Sequence, residues 1–125
     1  MLVYRIEHPA DSLGPYQSYR ESNDELQKWE HGPAIELHNA HSPCVSETHP
    51  VCTQIYGWKK GYVCGFSSMT KLKKWFAPKF RESMRQHGFV CCVFDVNPDA
   101  MCSDDYQVGF DREEAELLDT IEIPC

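Results

Sequence analysis

The sequence predicts a single α+β domain, and three observations carry that reading. Residues 61–96 run GYVCGFSS, MTKLKKWFAPKFRESMRQHG, FVCCVFDV: a short apolar run, a basic amphipathic segment and a second apolar run. Short runs rich in Val, Phe and Cys and bounded by Gly suit buried strands, whereas Met69, Leu72, Phe76, Phe80 and Met84 recur at steps of three or four, as one helix face does. Residues 2–7 alternate as a strand, and two further short strands follow at Tyr106–Phe110 and Leu118–Ile123 with no long helical pattern between them.

In Leu2–Glu7, Leu2, Tyr4 and Ile6 fall on one face and Val3, Arg5 and Glu7 on the other. His8-Pro9 ends the strand, because the residue before proline is held extended and proline cannot donate to a ladder. Ala10–Tyr19 is a loop punctuated by Gly14-Pro15. Ser22–Trp29 has an N-cap residue, Ser22 or Asn23, and acids in its first turn, which the helix dipole favours, so a short helix is expected there. His31–Thr53 carries three prolines and little periodicity and reads as a long loop. In the central unit Ser67 or Ser68 caps the helix start and Gly88 ends it in a left-handed conformation. Pro78 lacks a backbone donor and clashes with the preceding turn, which predicts a kink or two helices, Met69–Phe76 and Pro78–His87. Phe76 and Phe80 then face the sheet with Leu72 and Met84, Lys73, Lys74, Lys79 and Arg81 face solvent, and Trp75 either flanks the stripe or stands exposed as a partner anchor. Asn97–Asp105 is a polar turn region, Gly109 marks a bulge or a close backbone approach, and Glu113–Leu118 is a short polar segment.

One core fits 125 residues without obligatory staples, and no internal repeat or second domain is evident. The first twelve residues hold a charge at position five and no long apolar run, so neither a signal peptide nor a membrane span is expected, and a cytoplasmic protein follows. Seven cysteines is an odd count, and Cys64, Cys91 and Cys92 lie in apparent strands where thiols act as small hydrophobes; reduced thiols are expected. The net charge of −7 is divided: Lys and Arg against Asp and Glu number 3 to 8 in residues 1–58, 8 to 1 in 59–88 and 1 to 10 in 89–125. A positive helix thus lies between acidic flanks. Either it is a solvated face offsetting an acidic body or it is an anionic-ligand or partner patch, with Lys73, Lys74, Trp75 and Lys79 as its contacts. General nucleic-acid binding is disfavoured, since the acidic remainder repels phosphates.

The long loop holds His38, His41, Cys44, His49 and Cys52, residue types that bind zinc, but their spacing matches no standard knuckle and Pro43 and Pro50 fix the local chain direction. Zinc is therefore the weaker reading, and a loop whose histidines hydrogen-bond or line a pocket is the stronger. The motifs of nucleophile-elbow hydrolases, P-loop NTPases, Rossmann enzymes and zincins are absent from the sequence. Cys91-Cys92 with His87 is a poor thiol-nucleophile candidate, because adjacent strand residues point to opposite faces and at least one is core.

Tyr4-Arg5 ending a first strand, GFSS running into a helix, VCCVFDVNP, and a late QVGFD together resemble the layout of small ADP-ribosyltransferase-like domains. The resemblance implies a split mixed sheet with one main kinked helix, and NAD as cofactor. It places Arg5, with Tyr4, at the nicotinamide or ribose side and Ser67 or Ser68 as the brace of the site; if the chain is such an enzyme, the loop histidines His41 and His49 line the acceptor side. Gln107 stands where the family has a catalytic glutamate. An amide can hydrogen-bond a ribose hydroxyl but cannot take a proton, and Asp105 lies about 6–7 Å from Gln107 along a strand. The chain is also similar to small phage and prophage proteins with a YRxE, GPY, GFxSxxxLxxWF and QVxFD pattern, here Tyr4–Glu7, Gly14–Tyr16, Gly65–Phe76 and Gln107–Asp111. The expectation is a phage-type cytosolic binding protein that engages a host protein, or second a nucleotide, in anti-defence or host takeover. The alternatives are an active NAD-dependent ADP-ribosyltransferase with Arg5, Ser67 and Gln107 as its catalytic set, and a structural zinc protein.

Overall fold

Alternation in LVYRIE produces the first strand, β1 (Leu2–Glu7), and its two faces build two separate cores. The computed structural model describes residues 1–10, 12, 14, 15, 62–103 and 107–125. The expected helix at Ser22–Trp29, the loop His31–Thr53 with its histidines and cysteines, and Asp105 lie outside the described residues. After β1 come β2 (Tyr62–Gly65), α1 (Met69–Trp75), α2 (Pro78–Gln86), β3 (Val90–Asp95), a 3-10 turn (Pro98–Ala100), β4 (Met101–Ser103), β5 (Val108–Asp111), a second 3-10 turn (Arg112–Glu114) and β6 (Glu116–Ile121).

The α+β class holds, and the sheet is split, but its described strands pair antiparallel where a mixed sheet is expected. One three-stranded sheet has the order β1-β3-β6 and the other β2-β5-β4, each antiparallel throughout. Tyr4 and Phe66 exchange backbone N–H···O bonds of 2.8 Å, which tie β1 to the end of β2. The strand–helix–strand unit expected at residues 61–96 therefore forms, but its two strands enter different sheets, with β1 at the seam between them. On one face of the first sheet, Ile6 and Cys91 pack with Phe66, Leu72, Trp75, Phe76, Phe80, Met84, Phe89 and Ile123. On the other, Val3, Cys92, Phe94 and Val96 pack with Val108 and Phe110 of the second sheet. Cys91 and Cys92, adjacent in β3, thus belong to different cores, as alternation requires.

The helical segment breaks where proline dictates. Ser68 Oγ accepts from the Lys71 N–H at 3.1 Å, α1 ends at Trp75, and Pro78 starts α2 at a position where its missing N–H costs nothing. Gly88 then turns the chain at φ 88°. Phe76 stacks on Phe80 at 5.4 Å between ring centroids and meets Phe66 edge-on at 5.7 Å. Leu72, Phe76, Phe80 and Met84 are buried as the periodicity requires.

Three readings are corrected. Trp75 is 1% exposed and belongs to the helix-side core, so it is no surface anchor; its indole body outweighs its amphipathic tip because it meets Phe66 at 5.9 Å. Arg81 is 4% exposed and does not face solvent. Breaking the helix orphans the carbonyls of α1's last turn, and Arg81 Nη1 donates to Lys73 O (2.8 Å) and Phe76 O (2.6 Å) while its Nε donates to Pro124 O (3.1 Å). β4 arises inside the polar segment that reads as turn, because Met101 and Cys102 lie opposite Phe110 and Gly109 and are half-buried there. Boundaries shift by about two residues in the last strands, to Val108–Asp111 and Glu116–Ile121.

Candidate functional site

Two polar constructions stand out, one buried at the seam of the sheets and one open at the helix break. The first begins with β1 alternation, which puts Arg5 and Glu7 on the same face as Val3. Both are buried, at 7% and 2% exposure. Arg5 Nε donates to Glu7 Oε2 at 2.8 Å, and Arg5 Nη1 donates to Cys64 O at 2.9 Å. Arg112, just past β5, donates from Nε to Glu7 Oε2 at 2.7 Å and from Nη2 to Glu7 Oε1 at 2.9 Å, a two-point grip. Its guanidinium also lies 5.4 Å from the Phe94 ring centroid. Burial pushes the Glu7 carboxyl up, but the Arg112 hydrogen bonds together with the charge and hydrogen bond of Arg5 outweigh that and hold it below its ordinary value. Cys92 Sγ lies 3.6 Å from Glu7 Oε1, and burial with the nearby carboxylate pushes its thiol up to about 11. Burial, with Cys92 beside it, pushes Cys91 to about 12. Neither is a thiolate near neutral pH, in keeping with the sequence argument against a cysteine nucleophile.

The arrangement is a clamp: one carboxylate from β1 joined to a cation from its own strand and to Arg112, the first residue after β5 of the second sheet. Arg5 Nε and Nη1 both donate to protein acceptors, and the bond to Cys64 O ties β1 to β2 of the second sheet. The other described residues of the NAD assignment lie on β1, just past β2 and just before β5. Tyr4 is half-buried on the helix side and pairs through its backbone with Phe66. Ser67 follows Phe66 and is half-buried, and Ser68 Oγ is used as the α1 cap. Gln107, 4% exposed, lies one register step beyond the Gly65↔Val108 pair. His41 and His49 lie outside the described residues. Glu7 and Arg112 escaped the sequence reading, although a Glu two residues after Arg5 on an alternating strand, and an Arg directly after the QVGFD motif, were both visible.

The second construction is an open depression of about 290 Å³ at the break between α1 and α2, lined by Thr70, Lys73, Lys74, Pro78 and Arg81. Lys73, Lys74 and Lys79 are exposed, and among the described residues no acid lines the depression. Arg81 forms its fixed wall, held by three carbonyls, while Arg85 Nη1 donates to Pro124 O at 2.9 Å and Ile123 O at 3.3 Å. The last turn of α1 and the first turn of α2 thus meet around a cationic hollow.

Among the described residues no group of three or more His, Cys, Asp or Glu is placed to hold a metal ion, and no helix is long and apolar enough to cross a membrane. A family model described as Bacteriophage T4 Y00F protein matches residues 1–124. No curated protein and no solved structure matches the chain.

Proposed function

The chain belongs to the Bacteriophage T4 Y00F protein family, and on that premise we propose that it is a small phage-type binding protein that engages an acidic surface of a host protein, in host takeover or anti-defence. The observation that carries this reading is the hollow at the helix break. Lys73 and Lys74 project there beside an Arg81 that is already immobilised, so the site presents cations with no acid among its described lining residues. Rim lysines of this kind act chiefly on association rate and salt dependence. The transferase alternative asks Arg5 to meet NAD, yet two of its donors are held by Glu7 and Cys64, and Gln107 cannot take a proton. The zinc alternative rests on residues outside the described set.

Affinity capture from host lysate tests the proposal, using the parent chain and a Lys73→Ala/Lys74→Ala/Lys79→Ala variant. A host protein retained by the parent, released by raised salt and lost in the variant is the expected result. Retention that is indifferent to both would refute it. Labelled NAD and a labelled nucleoside triphosphate in parallel incubations read the enzyme and nucleotide alternatives: product formed from NAD, and lost in Arg5→Ala that still folds, would replace the binding reading with the transferase one.

A further inference from the structure

β6 is the terminal strand of the β1-β3-β6 sheet, with β3 as its partner among the described residues. Side chains of successive strand residues leave opposite faces, yet every residue from Glu116 to Thr120 is exposed, so among the described residues nothing covers either face of this stretch. Leu117 and Leu118 are each 49% exposed. The register passes from Val93↔Asp119 to Phe94↔Leu117, which leaves Leu118 as the extra residue of a bulge, outside the β3 ladder. Around these leucines Glu113, Glu114, Glu116, Asp119 and Glu122 are exposed, and the nearby cation, Arg112, is joined to Glu7.

We propose that the outer edge of β6 is a docking strand for an extended, lysine- or arginine-bearing segment of another protein, which joins the sheet as a fourth strand. An edge strand offers a row of backbone donors and acceptors, and strand addition satisfies them whatever the partner's side chains are. The charges then select the partner. A second copy pairing antiparallel brings Glu116 and Asp119 of both chains together, and like charges across a pair destabilise it. A basic segment reverses that sign, and its apolar residues cover Leu117 and Leu118. This surface is acidic where the helix-break hollow is basic, so the two proposals do not depend on each other.

The probe is a labelled synthetic peptide of about nine alternating Val and Lys residues, titrated with the full chain at low salt and read by fluorescence anisotropy. Its controls are the same peptide with alternate backbone nitrogens methylated and a Val/Glu counterpart. Binding of the Val/Lys peptide that falls by at least about tenfold on methylation and in a Glu116→Lys/Asp119→Lys variant supports strand addition. The variant's fold is checked by its urea midpoint. No binding, equal binding of the methylated peptide, or binding indifferent to the β6 variant overturns the proposal. So does a concentration-dependent dimer that the same variant abolishes, because it assigns the edge to a second copy.

Discussion

Replacing Glu7 with Ala removes the carboxylate that joins two buried or half-buried guanidinium groups. Glu7 is 3% exposed at its side chain, Arg5 8% and Arg112 33%. Breaking a buried pair by deleting one partner costs about 3–5 kcal/mol, because the surviving charge is left without compensation. Arg112 can turn its head to water, so most of the loss falls on Arg5, and the lower end, about 3 kcal/mol, is expected. That is a large share of a stability of roughly 5–15 kcal/mol. With a urea m-value of about 1.5 kcal/mol/M, the midpoint falls by about 2 M. Tryptophan fluorescence reports it, since Trp75 is 1% exposed and passes to water on unfolding. The pH dependence checks the same cause. The folded Glu7 carboxyl lies below its ordinary 4.5, so its contribution is fully present above that value and is lost as pH falls through the lower folded value. Glu7→Ala should therefore flatten the acid limb of the stability curve as well as lower it. A midpoint within about 0.3 M of the parent, with an unchanged acid limb, would refute the clamp as the closure of the seam.

Four further outcomes are expected. Phe76→Ala removes a buried ring stacked on Phe80 and should cost about 3–5 kcal/mol by urea titration; a variant as stable as the parent would show the helical face to be misassigned. Arg81→Ala removes the guanidinium that holds the carbonyls of Lys73 and Phe76, while Pro124 O keeps Arg85 Nη1, and should cost at least about 2 kcal/mol, whereas the exposed Lys73→Ala/Lys74→Ala pair should stay within about 0.5 kcal/mol. Gly88→Ala should cost about 1–2 kcal/mol, because φ is 88° there and the added Cβ would lie 2.9 Å from His8 Nε2; calorimetry against the parent measures it. In native protein at mildly alkaline pH, iodoacetamide should modify exposed Cys125 well before Cys91 and Cys92, whose thiols are held near 12 and 11; rapid modification of Cys92, read by peptide mass spectrometry, would show the Glu7 cluster open to water.

Local rules made much of the chain legible. Alternation placed Leu2–Glu7, and the three-to-four spacing of Leu72, Phe76, Phe80 and Met84 named the buried helix face. Pro78 located the break and Gly88 the left-handed stop. Each of these depends on neighbours within a few residues, where period, donor count and φ preference act directly. The short β4 was not legible, because MCS has no pattern of its own and becomes a strand only by lying beside β5.

The candidate sites divide along the same line. Charge bookkeeping along the sequence was enough to mark Lys73, Lys74 and Lys79 as a solvent-facing basic group between acidic flanks, since long charged side chains on a helix opposite an apolar stripe have nowhere else to go. It could not tell which cations were already taken. Arg81 caps carbonyls that exist only because the helix breaks, and Arg5 is held by Glu7 together with Arg112, which lies 105 positions from Glu7 in the chain. Sequence by itself determined the main secondary elements of the described residues apart from β4, the helix-side core and the sign of each surface; which strands pair in each sheet, the clamp at the seam and the exposed edge of β6 were decided by tertiary structure, because strand pairing and buried ion pairs join residues that no local rule relates.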